Sequence, residues 1–171
     1  MEQSKNSDSQ QNVEEQNFDA FFQHPLFCTQ VTFNIDQLNY RYKRLQAINT
    51  HAPSLKQEYL MAFDAFLVVF RALFLERGQR QYTIQNFYRA KGDNEKADKI
   101  DAYLDLPAFT WKNVSIRDML KFIADKFICH VDPISTEDLG TANFYMTHLA
   151  NPYDKNNLET IMTDLNRIIN E

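Results

Sequence analysis

The stretch from Ser54 to Gly78 constrains this chain more than any other. Tyr59, Phe63, Phe66, Phe70 and Leu73 recur at spacings of three and four, the period of one face of a helix. Leu60, Leu67 and Phe74 widen that stripe beyond what a helix resting on one neighbour needs. Such a segment suits a central helix contacted on more than one side. Ser54 and Gln57 form a capping box immediately after Pro53, and Gly78 supplies the stop. Its longest apolar run, residues 65–70, is bracketed by Asp64 and Arg71 and is far too short to cross a membrane.

Other segments repeat the helical period. Ile35, Leu38, Tyr42 and Leu45 predict a first long helix starting near Asn34 or Asp36 and running to Asn49, with Arg41, Lys43 and Arg44 on its wet side. His51 to Pro53 is the turn into the second helix, which makes the two long helices antiparallel. Thr83 caps a short helix ending at Gly92, and Ala97, Ile100 and Leu104 mark another from Lys96. Residues 107–111 read as an aromatic connector. Ser135 and Asp138 open a segment that Asn151-Pro152 breaks, and Leu158, Ile161, Leu165 and Ile168 define the last helix. Only 3 Gly and 5 Pro argue against a loop-rich or all-β chain, and no strand-type alternation of useful length occurs. The expected fold is all-α, a helical bundle of about five to seven helices. Residues 1–17 are polar and read as a disordered tail, and residues 18–171 read as one domain, with Phe18–Phe27 packing as a short segment.

The segment from Ser115 to Asp132 carries the chemically suggestive residues. Ser115 and Asp118 resemble a capping box, with Asp where Glu or Gln is usual. Ile116, Leu120, Ile123 and Phe127 form the apolar stripe, which extended by three reaches His130. Asp132-Pro133 ends this helix. No zinc-type pairing of ligands, phosphate-binding glycine loop or nucleophile elbow occurs, so neither a cofactor nor a metal is expected. Cys28 and Cys129 match no disulfide framework, which together with the absence of a signal peptide suggests a cytoplasmic protein. Asp101 and Asp105 read as part of a solvated face. Basic residues outnumber acidic ones by three between Phe66 and His130, against −5 for the whole chain. That leaves room for a local basic face.

Ala124-Asp-Lys-Phe-Ile-Cys-His130, followed by Val131-Asp132, resembles the signature region of the HEPN superfamily, especially its abortive-infection-type bacterial branch. Asp125 matches the polar position, Lys126 to Ile128 the helical stretch, and His130 the histidine. The layout of two long helices with the motif helix late in the bundle is similar too. In that family an Arg and the His together cut RNA without metal, usually across a dimer. Here Ala124 stands where the family has Arg, and Arg117, seven residues earlier on nearly the same face, is the displaced cation. The resemblance therefore implies His130, Asp125 and Arg117 as the site. It further implies a homodimer, RNA and a cognate protein as partners, and weak or lost ribonuclease activity in a defence or toxin–antitoxin setting. Two other readings stand beside it: a helical module for protein–protein interaction, and an apolar ligand pocket between the long helices.

Overall fold

The computed structural model describes residues 25–48, 56–78, 81–108, 111–129 and 156–171. Its architecture there is all-α: six helical segments and one two-stranded hairpin. Helix α1 (Pro25–Ala47) and helix α2 (Lys56–Phe70) are the two long elements, and α2 runs on through a π-turn at Arg71–Leu75. They are antiparallel. Arg44 near the end of α1 lies 3.7 Å from Glu58 at the start of α2, and Tyr42 packs on Phe66 with ring centroids 5.9 Å apart. Helix α1 begins nine residues before Asn34, because Phe27 and Val31 continue the buried stripe of Leu38 and Leu45 upstream. Pro25 is no obstacle, since the first helical residue has no helical use for its N–H.

The core is built on α2. Phe63, Phe66, Phe70 and Phe74 form a ladder of ring contacts, with centroids 6.4, 5.7 and 4.8 Å apart along the series. Each such pair is worth about 0.5–1.5 kcal/mol beyond the area it buries. Around this ladder pack α3 (Ile84–Ala90), α4 (Asn94–Leu104), α5 (Ile116–Ile123) and α6 (Asn156–Asn170). The expected stripes Ala97, Ile100, Leu104 and Leu158, Ile161, Leu165, Ile168 are all buried. Thr83 caps α3 by accepting from the Asn86 N–H at 3.3 Å, as its position predicts. Asp93 caps α4 in the same way from Lys96, which sets the start of α4 at Asn94. Lys96 Nζ then donates to the Ile169 carbonyl at 2.9 Å, fastening α4 to the open end of α6.

Two features depart from the sequence reading. The aromatic connector is a hairpin, with β1 (Pro107–Ala108) antiparallel to β2 (Trp111–Ser115) and Pro107 opposite Ser115. Five residues of strand are too few for alternation to register as a pattern. The motif helix is also not one uniform α-helix. It is α-helical over Ile116–Ile123 and then widens into a second π-turn, Ala124–Cys129. Ser115 starts it as expected, accepting from the Asp118 N–H at 3.0 Å while its own hydroxyl donates to Asp118 Oδ2 at 2.8 Å. Ile116, Met119, Leu120, Ile123 and Ala124 are all buried in the core. No helix among the described residues is long and apolar enough to cross a membrane. The tail at 1–17, the turn at 51–53 and the segment opened by Ser135 lie outside the described residues.

Gly92 joins α3 to α4 at φ +80°, where a Cβ would meet no neighbour but would strain its own backbone. Gly92→Ala is therefore expected to lower unfolding free energy by about 1 kcal/mol. Urea denaturation checks this, and an unchanged midpoint would show that the turn relaxes without cost.

Candidate functional site

Arg117 and Asp125, the two sequence-derived site residues that the structure describes, fall in different networks. Arg117 lies in the first turn of α5 and is 2% exposed. It shares a helix face with Ala124, which is fully buried, so the same geometry that placed the two together carries the guanidinium inward. Every nitrogen of that guanidinium is engaged. Nε donates to Asp105 Oδ1 at 3.0 Å, Nη2 to Asp101 Oδ1 at 2.5 Å, and Nη1 to the Phe74 carbonyl at 2.8 Å. The Phe74 carbonyl belongs to the π-turn closing α2, where the last carbonyls lack helical partners. Gln85 Nε2 donates to the same oxygen at 2.9 Å and to Asp101 at 3.2 Å.

Asp101 and Asp105 stand at the surface, as expected, with side chains 31% and 44% exposed, but they also carry structural ion pairs. They sit one turn apart on the side of α4 that meets α5, and each holds two arginines. Arg89 reaches Asp101 Oδ2 at 2.7 Å and Asp98 at 3.1 Å, and Arg77 reaches Asp105 at 2.5 Å. Burial pushes the Asp105 carboxyl up, but Arg117 and Arg77 outweigh it and hold the group below its ordinary value. Burial pulls Arg89 down, and its bonds to Asp101 and Asp98 more than restore it. A polar recess of about 290 Å³ opens beside the cluster. Of the charged groups lining it, Arg77 pairs with Asp105, Arg89 with Asp101, and Glu76 with Arg71 and Lys121 outside the recess.

Asp125 belongs to a second network on the α2 side. Arg71 Nη2 lies 2.9 Å from Asp125 Oδ1 and 3.1 Å from Glu76, and Lys121 lies 3.4 Å from the other Glu76 oxygen. The two π-turns are therefore clamped together by Arg71 and Asp125. His130 lies outside the described residues, so Asp125 and Arg117 are the two members of the expected site that the structure places, and it places them in different networks. Arg71, Gln85, Asp101 and Asp105 are the partners that sequence reasoning missed. The spacing of four between Asp101 and Asp105 was the available signal. A buried arginine needs more than one acceptor, and an i, i+4 carboxylate pair offers two on one face.

Among the described residues no three His, Cys, Asp or Glu side chains are arranged to hold a metal ion. No family model, curated protein or solved structure matches this chain.

Two outcomes follow from the Arg117 cluster. Arg117→Met leaves the Phe74 carbonyl and two carboxylates without their shared donor, and should cost about 3 kcal/mol of stability. Arg117→Lys should recover less than half of it, because an ammonium cannot serve three acceptors in a plane. A loss under about 1 kcal/mol by urea denaturation would contradict the assignment. Because the folded state favours ionised Asp105, its contribution is complete above 3.8, its ordinary value, and is lost as pH falls through its lower folded value. Stability should therefore decline as pH falls from 3.8 toward that lower value, and Asp105→Asn should flatten the decline. An equal slope in the variant would show that other carboxylates govern it.

Proposed function

We propose that this chain is a HEPN-like helical protein that acts by binding and does not cut RNA. The single observation that carries the non-catalytic part is the commitment of Arg117. It is the only arginine of α5, and its three nitrogens already serve Asp101, Asp105 and the Phe74 carbonyl. Metal-independent RNA cleavage needs a cation that holds the phosphate and its developing charge, in addition to a histidine that moves protons. Where the family places that arginine this chain has Ala124, which the core encloses completely. Lys121 is tied to Glu76.

Between a nucleic-acid target and a protein one, the surface favours protein. Six of the basic residues between Phe66 and His130, Arg71, Arg77, Arg89, Lys99, Arg117 and Lys121, face carboxylates. Phosphate binding draws on uncompensated cations, and a paired arginine contributes little to it. Large apolar side chains are meanwhile exposed on the long helices. A role beside a cognate protein in a bacterial defence or toxin–antitoxin system is consistent with that surface.

The test is a labelled single-stranded RNA incubated with the native chain and with His130→Ala in a chelator. The expected result is the same slow background for both. Cleavage by the native chain that His130→Ala abolishes would overturn the reading. Ala124→Arg is expected to destabilise the fold by several kcal/mol rather than restore a nuclease, because it forces a guanidinium into a closed apolar site. A folded Ala124→Arg chain that cleaves RNA would equally overturn it.

A further inference from the structure

Seven arginines lie among the described residues, and six of them face a carboxylate: Arg44, Arg71, Arg77, Arg89, Arg117 and Arg167. Arg41 faces none. It is half-buried on α1, and its Nε is closed off from solvent with no hydrogen-bond partner. A guanidinium carries only donors, so what Arg41 lacks is an acceptor. A buried N–H left unanswered costs stability, and a chain gains by replacing it unless the donor has a partner from outside. Arg41 borders a groove of about 420 Å³ between α1 and α2. Arg44 stands one turn further along the same face and borders it too. The carboxylate that Arg44 faces, Glu58, is 3.7 Å away, and the two side chains are 59% and 47% exposed. An ion pair so long and so wet contributes little, which leaves the Arg44 guanidinium free to turn. Two arginines against one glutamate give the groove a net positive lining, in a chain whose formal charge is −5. Most of the remaining lining is apolar: half-buried Ala62 and Ala65, with the exposed Tyr40 ring and Met61 beside them.

We propose that this groove binds a small organic anion, a carboxylate or phosphate carried on a flat apolar body. Arg41 supplies the head-group contact that the chain leaves unused, and Arg44 adds a second by exchanging Glu58 for the ligand. Carboxylate and phosphate both match the planar fork of a guanidinium with two parallel hydrogen bonds. The body lies over Ala62 and Ala65, with the Tyr40 ring and Met61 against it. The other ligand classes fit less well. A bare inorganic anion would use the arginines and leave the apolar lining wet. A neutral molecule would leave Arg41 unanswered, and a cation would meet a positive lining. The volume lies within the range of small-molecule sites, about 300–1,000 Å³, and the mix of an apolar lining with a few convergent polar groups is typical of them. The recess beside Arg117 is no rival as an anion site, because Arg77 and Arg89 are held there by Asp105 and Asp101. The proposal is independent of whether RNA is bound or cut and of any protein partner.

Titration calorimetry of the full chain with naphthoate and with naphthyl phosphate should show a single site, and the tighter of the two names the head group. Naphthamide, the neutral counterpart, and inorganic phosphate, the bare head, should each bind more weakly by about tenfold or more. Arg41→Gln and Arg44→Gln should each weaken binding of the preferred naphthyl anion by about tenfold or more, and Arg44, being exposed, carries the test if the Arg41 variant fails to fold. Arg167→Gln, on the exposed side of α6, should leave the affinity unchanged. A second readout needs no ligand. Arg41→Met should leave the urea midpoint unchanged or raise it, the opposite of Arg117→Met, because no group in the chain loses a donor. Failure of both naphthyl anions to bind up to millimolar concentration would overturn the proposal. So would naphthamide or inorganic phosphate binding as tightly as the anion, or affinity retained in every folded arginine variant of the groove. A midpoint lowered as far by Arg41→Met as by Arg117→Met would show that the donor is answered within the chain, and would overturn it as well.

Discussion

A guanidinium buried among helices has to be answered on all sides, and much of this fold is arranged to answer Arg117. Removing a charge from water costs several kcal/mol even after relaxation, and the cost is offset only where geometry and additional hydrogen bonds are good. Three elements contribute. Helix α4 brings Asp101 and Asp105 on successive turns, and the π-turn closing α2 brings the Phe74 carbonyl. Helix α3 brings Gln85, which bridges that carbonyl to Asp101. Arg117 therefore doubles as a cap for the end of α2, replacing the helical hydrogen bonds that the turn gives up. Apolar packing alone would tolerate small slides of α4 against α5. The three-acceptor geometry fixes their register.

The same commitment shapes the functional reading. A residue that holds α2, α4 and α5 together cannot also hold a phosphate without loosening all three. Asp125 is occupied in the same sense by Arg71, which clamps one π-turn to the other. π-Turns often mark functional sites in other helical proteins, but here Arg71 of one turn and Asp125 of the other face each other across the contact. Most of the large apolar side chains that the described residues leave exposed lie on α1 and α2. Catalytic logic and surface chemistry thus point to different parts of the molecule, the first turned inward and the second available for association.

The elements that could be read from the sequence are those whose pattern is local. The broad stripe of α2, the Thr83 cap, the Ser115 cap and the buried positions of α6 follow from period and capping chemistry alone. The hairpin between α4 and α5 was too short to show a period of two. The π-turns were invisible for a related reason: shifting one hydrogen bond leaves the residue types unchanged and alters only the phase after it. The fate of Arg117 was half legible. Its placement on the face of Ala124 followed from spacing, but whether that face was a cleft or the core depended on α4, which is close in sequence yet on a different element. Charge counting was silent on placement, because a surplus of cations says nothing about how many are already paired.

The central claim is that Arg117 acts within the fold through Asp101, and a double-mutant cycle isolates that interaction. Urea unfolding of the native chain, Arg117→Met, Asp101→Asn and the double variant gives the coupling between the two side chains. The account predicts a coupling of about 2 kcal/mol or more, with the double variant far less damaged than the sum of the single ones. Additivity within about 0.5 kcal/mol would contradict it, and Arg117 would then be available for a role outside the structure.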